Sequence, residues 1–160
     1  MSEKNRIRVG ITQGDINGVG YEVIFKAFSN TEMFDICTPI VYGSPKVAAY
    51  HRKALEMEIQ YNTIERVEEA QNGRLNIINC NSDEVHIELG TNTPEAGVAA
   101  FQALEKAVAD CQEGKIDVIV TAPINKSAIH SEEFNFPGHT EYIEQRAGEG
   151  AKALMILANE

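Results

Sequence analysis

The chain has 160 residues, 43% of them hydrophobic, enough to bury one substantial core and too few for two independent domains. Its 24 acidic residues outnumber 14 basic ones for a formal charge of -10, and the basic residues are scattered, which excludes a nucleic-acid surface built on concentrated positive charge. Cys37, Cys80 and Cys111 lie far apart with no C-x-x-C spacing, against a disulfide framework or zinc knuckle; with a polar start over 1–8 and no apolar run approaching about 18 residues, a cytoplasmic protein without a membrane segment is expected.

In chain order, Ile7 to Thr12 reads as a strand, the loop G-D-I-N-G-V-G-Y-E (Gly14 to Glu22) follows, and Val19 to Phe28 reads as a helix ending at Ser29-Asn30. The loop glycines fall as G-x-x-x-G-x-G with no lysine after them, which satisfies neither the Rossmann fingerprint nor the P-loop. Gly18 and Gly20 still let a ligand approach the backbone, and free N–H groups at a helix start favour phosphate or carboxylate. Asp15 would repel such an anion unless it faced a hydroxyl, an ammonium or a metal. The alternative is a tight turn in which Asp15 or Asn17 caps the helix.

Thr38 to Gly43 is a second β-branched run, and Ser44-Pro45 supplies an N-cap and first-turn proline for a helix to about Met57. From Glu58 to Gly90 the signals weaken; Leu75 to Cys80 is the clearest strand, with its direction open. Thr93-Pro94-Glu95 opens a helix to about Gln112 in which Ala96, Ala99, Ala100, Ala103, Leu104 and Ala107 recur at helical spacing, suited to close packing against a sheet or another helix. Gly114 ends it. Ile116 to Thr121 reads as a strand buried on both faces, Asn125 to Ile129 as a short helical turn, Glu141 to Arg146 as a helix and Ala153 to Ala158 as another buried strand. The alternation predicts an α/β fold, a mostly parallel sheet with flanking helices, with no internal boundary across 1–160.

Two more clusters carry possible chemistry. Thr121-Ala122-Pro123-Ile124-Asn125-Lys126 follows a strand end, where ligands of open parallel sheets sit; Lys126 could bind phosphate or carboxylate and Asn125 donate a hydrogen bond, against the alternative of a solvated lysine. Phe136-Pro137-Gly138-His139-Thr140-Glu141 could offer an imidazole and a hydroxyl to one substrate, against a helix-capping alternative. His51 lies in a charged helix, His86 beside Asp83 and Glu84, and His130 near Glu132 and Glu133, each expected at the surface. No metal-ligand spacing and no G-x-S-x-G elbow is present, and no metal site is expected within this chain.

Taken together, I-T-Q-G-D-I-N-G-V-G-Y-E, V-T-A-P-I-N-K (120 to 126) and F-P-G-H-T-E-Y-I (136 to 143) resemble, in order, motifs of the 4-hydroxythreonine-4-phosphate dehydrogenase family of pyridoxal phosphate biosynthesis. The resemblance implies a fold similar to isocitrate and isopropylmalate dehydrogenases. It also implies a homodimer, a small phosphorylated substrate, oxidation of a secondary alcohol by NAD, loss of carbon dioxide, and a divalent metal (zinc, magnesium or cobalt) held by histidines. By that resemblance His139 and Thr140 are a substrate-binding pair, and Asp15, Gly18, Asn125 and Lys126 line the same region. The family's usual G-D-P-A-G-I-G-P-E becomes G-D-I-N-G-V-G-Y-E, which loses both prolines and implies a looser loop or one tuned to a different substrate.

Family members are longer, so the resemblance makes this chain an N-terminal portion, expected to be inactive alone and to self-associate through exposed apolar edge and face. Its metal ligands and cofactor contacts are expected beyond residue 160. The alternatives are a sibling dehydrogenase of threonate or erythronate phosphate, and a short protein that binds a phosphorylated ligand without catalysis.

Overall fold

The computed structural model describes residues 6–81, 85–130 and 134–158. Strand β1 (Ile7–Thr12) is flanked by β2 (Cys37–Gly43) and β5 (Val118–Thr121), and β4 (Leu75–Asn79) and β3 (Tyr61–Ile64) extend the sheet beyond β2, in the order β3-β4-β2-β1-β5. Every pairing is parallel: Ile7 stands opposite Cys37 and Thr12 opposite Tyr42, while Val9 to Thr12 run opposite Val118 to Thr121. This is the α/β architecture expected, and it settles the direction of 75–79 as parallel to β2.

The helices are α1 (Gly20–Phe28), α2 (Met33–Ile36), α3 (Pro45–Ala54), α4 (Pro94–Gln112), α5 (Lys126–Ile129) and α6 (His139–Arg146), with one 3-10 turn over Val67–Glu69. The cap signals act as their chemistry requires. Ser44 Oγ accepts from Val47 N at 3.4 Å and Thr93 Oγ1 from Ala96 N at 3.2 Å, and a proline follows each cap where its missing N–H costs nothing. Neither α2 nor β3 was legible in sequence; each is only four residues long, too short to show a period.

The fully buried strand is β2, whose alternate residues point to opposite faces. Ile40 and Tyr42, with Ile78, pack against Ala103 and Ala107 of α4; Val41, with Ile11 and Ile77, packs against Ile24 and Phe25 of α1 and Val47 and Ala48 of α3. The alanine stripe of α4 therefore meets the sheet directly. Near the far end of α4, Asp110 is buried and compensated, accepting from Tyr42 Oη at 2.9 Å and Lys106 Nζ at 2.8 Å.

Two expectations are corrected. The strand over 116–121 is not covered on both faces: β5 is an edge of the sheet among the described strands, and Val118 and Val120 are 42% and 49% exposed. A continuous apolar run records two apolar faces without saying that both are covered. Residues 153–158 form no strand, and Leu154 to Leu157 are exposed; no described strand pairs with them, so the backbone has no ladder to join.

Candidate functional site

The chain leaves β1 toward β2, yet from β4 it crosses through α4 to β5 on the opposite side of β1. The strand order reverses at the β1/β5 boundary, so the crevice of this sheet lies beyond the carboxyl ends of those two strands. The loop at 13–19 and the segment 122–126 both emerge there.

Backbone bonds join the two. Ala122 N donates to Thr12 O at 3.2 Å and Asp15 N to Pro123 O at 2.9 Å. Gly14 permits the approach: it has φ +69°, and a Cβ there would stand 3.0 Å from the Ala122 carbonyl carbon and closer still to Pro123 O. The loop then closes as an Asx turn, with Asp15 Oδ1 accepting from Asn17 N at 2.9 Å and Asp15 O from Gly18 N at 3.0 Å.

Neither Asp15 nor Asn17 caps α1, whose first-turn amides follow Val19 without a side-chain cap. Asn17 acts instead as a buried cross-link. Its Nδ2 donates to Thr91 O (2.9 Å) and Thr93 Oγ1 (3.1 Å), and its Oδ1 accepts from Glu88 N (2.7 Å), binding the glycine loop to the start of α4.

The residues that stand where the family pattern has prolines are equally engaged. Ile16 is fully buried, and its carbonyl accepts from His51 Nε2 at 2.7 Å. Tyr21 Oη donates to Gln13 Oε1 at 3.0 Å, and burial pushes its phenol far above its ordinary range. Gln13, fully buried, also accepts from Ser44 N at 3.0 Å and donates to Asn81 Oδ1 at 2.6 Å, joining the carboxyl ends of β1, β2 and β4. The loop is thus held by side-chain bonds where proline rings were absent, and its bonding is not loose. His51, expected at the surface, is 4% exposed because its ring stacks on Tyr21 and reaches Ile16.

On the β5 side, Asn125 Oδ1 caps α5, accepting from Ser127 N (3.1 Å), Ser127 Oγ (2.8 Å) and Ala128 N (3.3 Å), so its Nδ2 is the end directed to donation. Lys126 is exposed and pairs with no carboxylate among the described residues. His139 is the first residue of α6 and Gly138 its N-cap, so the helix reaches two residues further back than its sequence pattern suggested, and neither His139 nor Thr140 caps it by a side chain. His139 Nε2 is buried and has no hydrogen-bond partner among the described residues. Burial, and then the nearby Lys126 ammonium, hold its imidazole below its ordinary range, so it is neutral near pH 7.

The structure therefore brings Asp15, Gly18, Asn125 and Lys126 to one end of the sheet, with His139 within the field of Lys126. Thr140 instead lines a separate hollow of about 290 Å³ with Ile143, Glu144 and Lys152. Another hollow, of about 510 Å³, holds none of these site residues; it is an apolar trough over β1 and β5 beside α1. His86 and His130 are exposed as expected, while Asp83, Glu84, Glu132 and Glu133 lie outside the described residues. Among the described residues no three His, Cys, Asp or Glu side chains gather to hold a metal ion, and no helix is long and apolar enough to cross a membrane.

A family model described as pyridoxal phosphate biosynthetic protein PdxA matches residues 35–160. The chain belongs to this family. It is 62% identical over 155 residues to a 4-hydroxythreonine-4-phosphate dehydrogenase of Bacteroides thetaiotaomicron, covering 97% of this chain and 43% of that protein. It is also 34% identical over 152 residues to a D-threonate 4-phosphate dehydrogenase of Cupriavidus necator, covering 94% of this chain and 46% of that one. In three dimensions it is similar to a 4-hydroxythreonine-4-phosphate dehydrogenase from Burkholderia phymatum, with a TM-score of 0.80 and 34% identity, over 89% of this chain and 44% of that structure. The chain thus spans less than half the length of these PdxA-family relatives.

Sequence reasoning missed Gln13, Tyr21, His51 and Asn81 as parts of the site's frame, since their bonds span eight to 68 residues and leave no local period. Gly97 was missed as well, although a glycine inside a helix is itself a packing signal.

Proposed function

We propose that this chain is part of an NAD-dependent, metal-assisted 4-hydroxythreonine-4-phosphate dehydrogenase acting in pyridoxal phosphate biosynthesis, a cytoplasmic homodimer to which these residues contribute one wall of the substrate pocket. The observation that carries this reading is the 62% identity over 155 residues to a protein of that name. The placement of the glycine loop, Asn125 and Lys126 beyond the carboxyl ends of β1 and β5 supports it.

The roles follow from the chemistry of each group. Lys126, exposed and charged, attracts the substrate's phosphate or carboxylate, and Asn125 Nδ2 donates to an oxygen beside it. His139, kept neutral, presents Nε2 to a substrate polar atom without adding a second positive charge beside Lys126. Thr140, one residue on, lines the neighbouring hollow, and its hydroxyl serves a different part of the substrate. When bound, NAD would supply the hydride acceptor and a divalent metal would supply a Lewis acid for the alcohol oxygen, with loss of the carboxyl group as carbon dioxide to follow; neither group's ligands are assigned among the described residues.

The full-length protein with divalent metal should reduce NAD when given 4-phosphohydroxy-L-threonine, and no reduction above a metal-free control would overturn the reading. The relative named for D-threonate 4-phosphate supports a second substrate, so turnover of that acid is measured beside the first. A higher kcat/KM for it would transfer the assignment.

A further inference from the structure

α4 uses alanine wherever its inner face needs a small residue, at Ala96, Ala99, Ala100, Ala103 and Ala107, but at position 97 it carries glycine, which weakens a helix interior. The packing of α5 gives the reason. A Cβ built at Gly97 would stand 2.9 Å from the Ile129 nitrogen and closer still to the Ala128 carbonyl carbon and oxygen. All three are backbone atoms, so no rotamer change relieves the overlap; α5 would have to retreat by more than about 1 Å to reach ordinary contact.

We propose that Gly97 is a positioning residue, whose bare Cα seats α5 against α4 and so fixes where Lys126 stands relative to His139. Lys126 is the first residue of α5 and Asn125 is its cap, so both move with it. Ile129 at the other end is buried against Ala100 and Leu104, and Asn92 Nδ2 donates to Ser127 Oγ at 2.8 Å, a second tie across the same junction. α6 has its own contact with α4, through Tyr142 against Phe101 at 5.6 Å between ring centroids, and is linked to the end of α5 by Phe134, whose carbonyl accepts from His130 Nδ1 at 3.1 Å and whose ring packs on Tyr142. Displacing α5 at its Ala128–Ile129 contact therefore carries Lys126 further than His139, whose helix keeps its own contact with α4.

The inference deepens the proposed function, since it rests on Lys126 and His139 facing one pocket, but its first test needs neither substrate nor cofactor. The titration of the His139 imidazole is followed by NMR in the intact protein. Because the Lys126 ammonium helps hold that imidazole below its ordinary range, Gly97→Ala should move the midpoint upward, and the increment should vanish in a Lys126→Gln background.

An unchanged midpoint in folded Gly97→Ala protein, or an equal increment without Lys126, overturns the proposal. Should Gly97→Ala not fold, Asn92→Ala releases Ser127 from the segment that leads into α4 without crowding the junction and should shift the midpoint in the same direction; no shift there overturns the proposal too. In an active enzyme, Gly97→Ala should raise KM for the phosphorylated acid roughly 10- to 100-fold with KM for NAD unchanged. A titration shift without that rise leaves Gly97 its positioning role and removes Lys126 from the substrate pocket, so the two readings fail separately.

Discussion

Asp15 and Asn17 stand two residues apart in one loop and do different work. Asp15 supplies a single acceptor to the Asx turn, which an asparagine oxygen can replace, whereas Asn17 uses both ends of its amide on the segment 88–93 while 3% exposed. Removing a buried group with several partners strands them without water, at a cost of about 1–3 kcal/mol. Asn17→Ala should therefore lower the unfolding free energy measured in urea by that much and speed amide exchange at Glu88, while Asp15→Asn should stay within about 0.5 kcal/mol of the parent. Equal stability of Asn17→Ala and parent would show that water takes over these bonds. If Asp15→Asn keeps stability but loses turnover in the full-length enzyme, its charge, and not its turn, is what the site needs. In sequence the two residues were equally plausible helix caps, because the partners that decide between them lie more than 70 residues away for Asn17 and two residues away for Asp15.

Among the elements, those legible in sequence were the ones whose period and caps agree. α4 is the clearest: Thr93 and Pro94 start it, and its alanines mark the face that meets β1, β2 and β5. That face sets how near the helix approaches the sheet, since Ala103 and Ala107 are fully buried against Ile40, Tyr42, Ile78 and Ile116. A larger side chain there must push the layers apart, at about 1–3 kcal/mol. Ala103→Leu should reduce the urea midpoint with the m-value unchanged, and Val98→Leu, on the same helix but 53% exposed, should not. Similar midpoints for both would mean that the layer can re-pack around the added carbons. The burial of β5 was misread for a related reason: sequence reports which faces are apolar, while coverage depends on the order of strands, and here β5 falls at an edge.

At the scale of the whole molecule, the order of strands places the candidate site and also leaves an apolar surface open. The site was legible as three motifs, each following a strand or opening a helix, but their meeting at one end of the sheet required the crossover that puts β5 beside β1. The same crossover forms the trough of about 510 Å³ beside α1, in which Ile7, Val23, Val118 and Val120 remain about half exposed. Leu154 to Leu157 add a second apolar surface, with Leu157 at 91% exposure. Contiguous apolar area of this kind, next to an unpaired strand edge, favours association over solvation. The 160-residue chain by itself is therefore expected to sediment with a weight-average mass that rises with concentration. Val120→Lys places a charge in the trough, where burial against a second copy would strip its water, and should shift the profile toward monomer without lowering the thermal midpoint, because Val120 is already half exposed. A single monomeric species for the parent chain at every concentration would overturn the expectation. If Val120→Lys leaves association intact while substitution of Leu154 and Leu157 abolishes it, the trailing segment, and not the trough, is the adhesive surface.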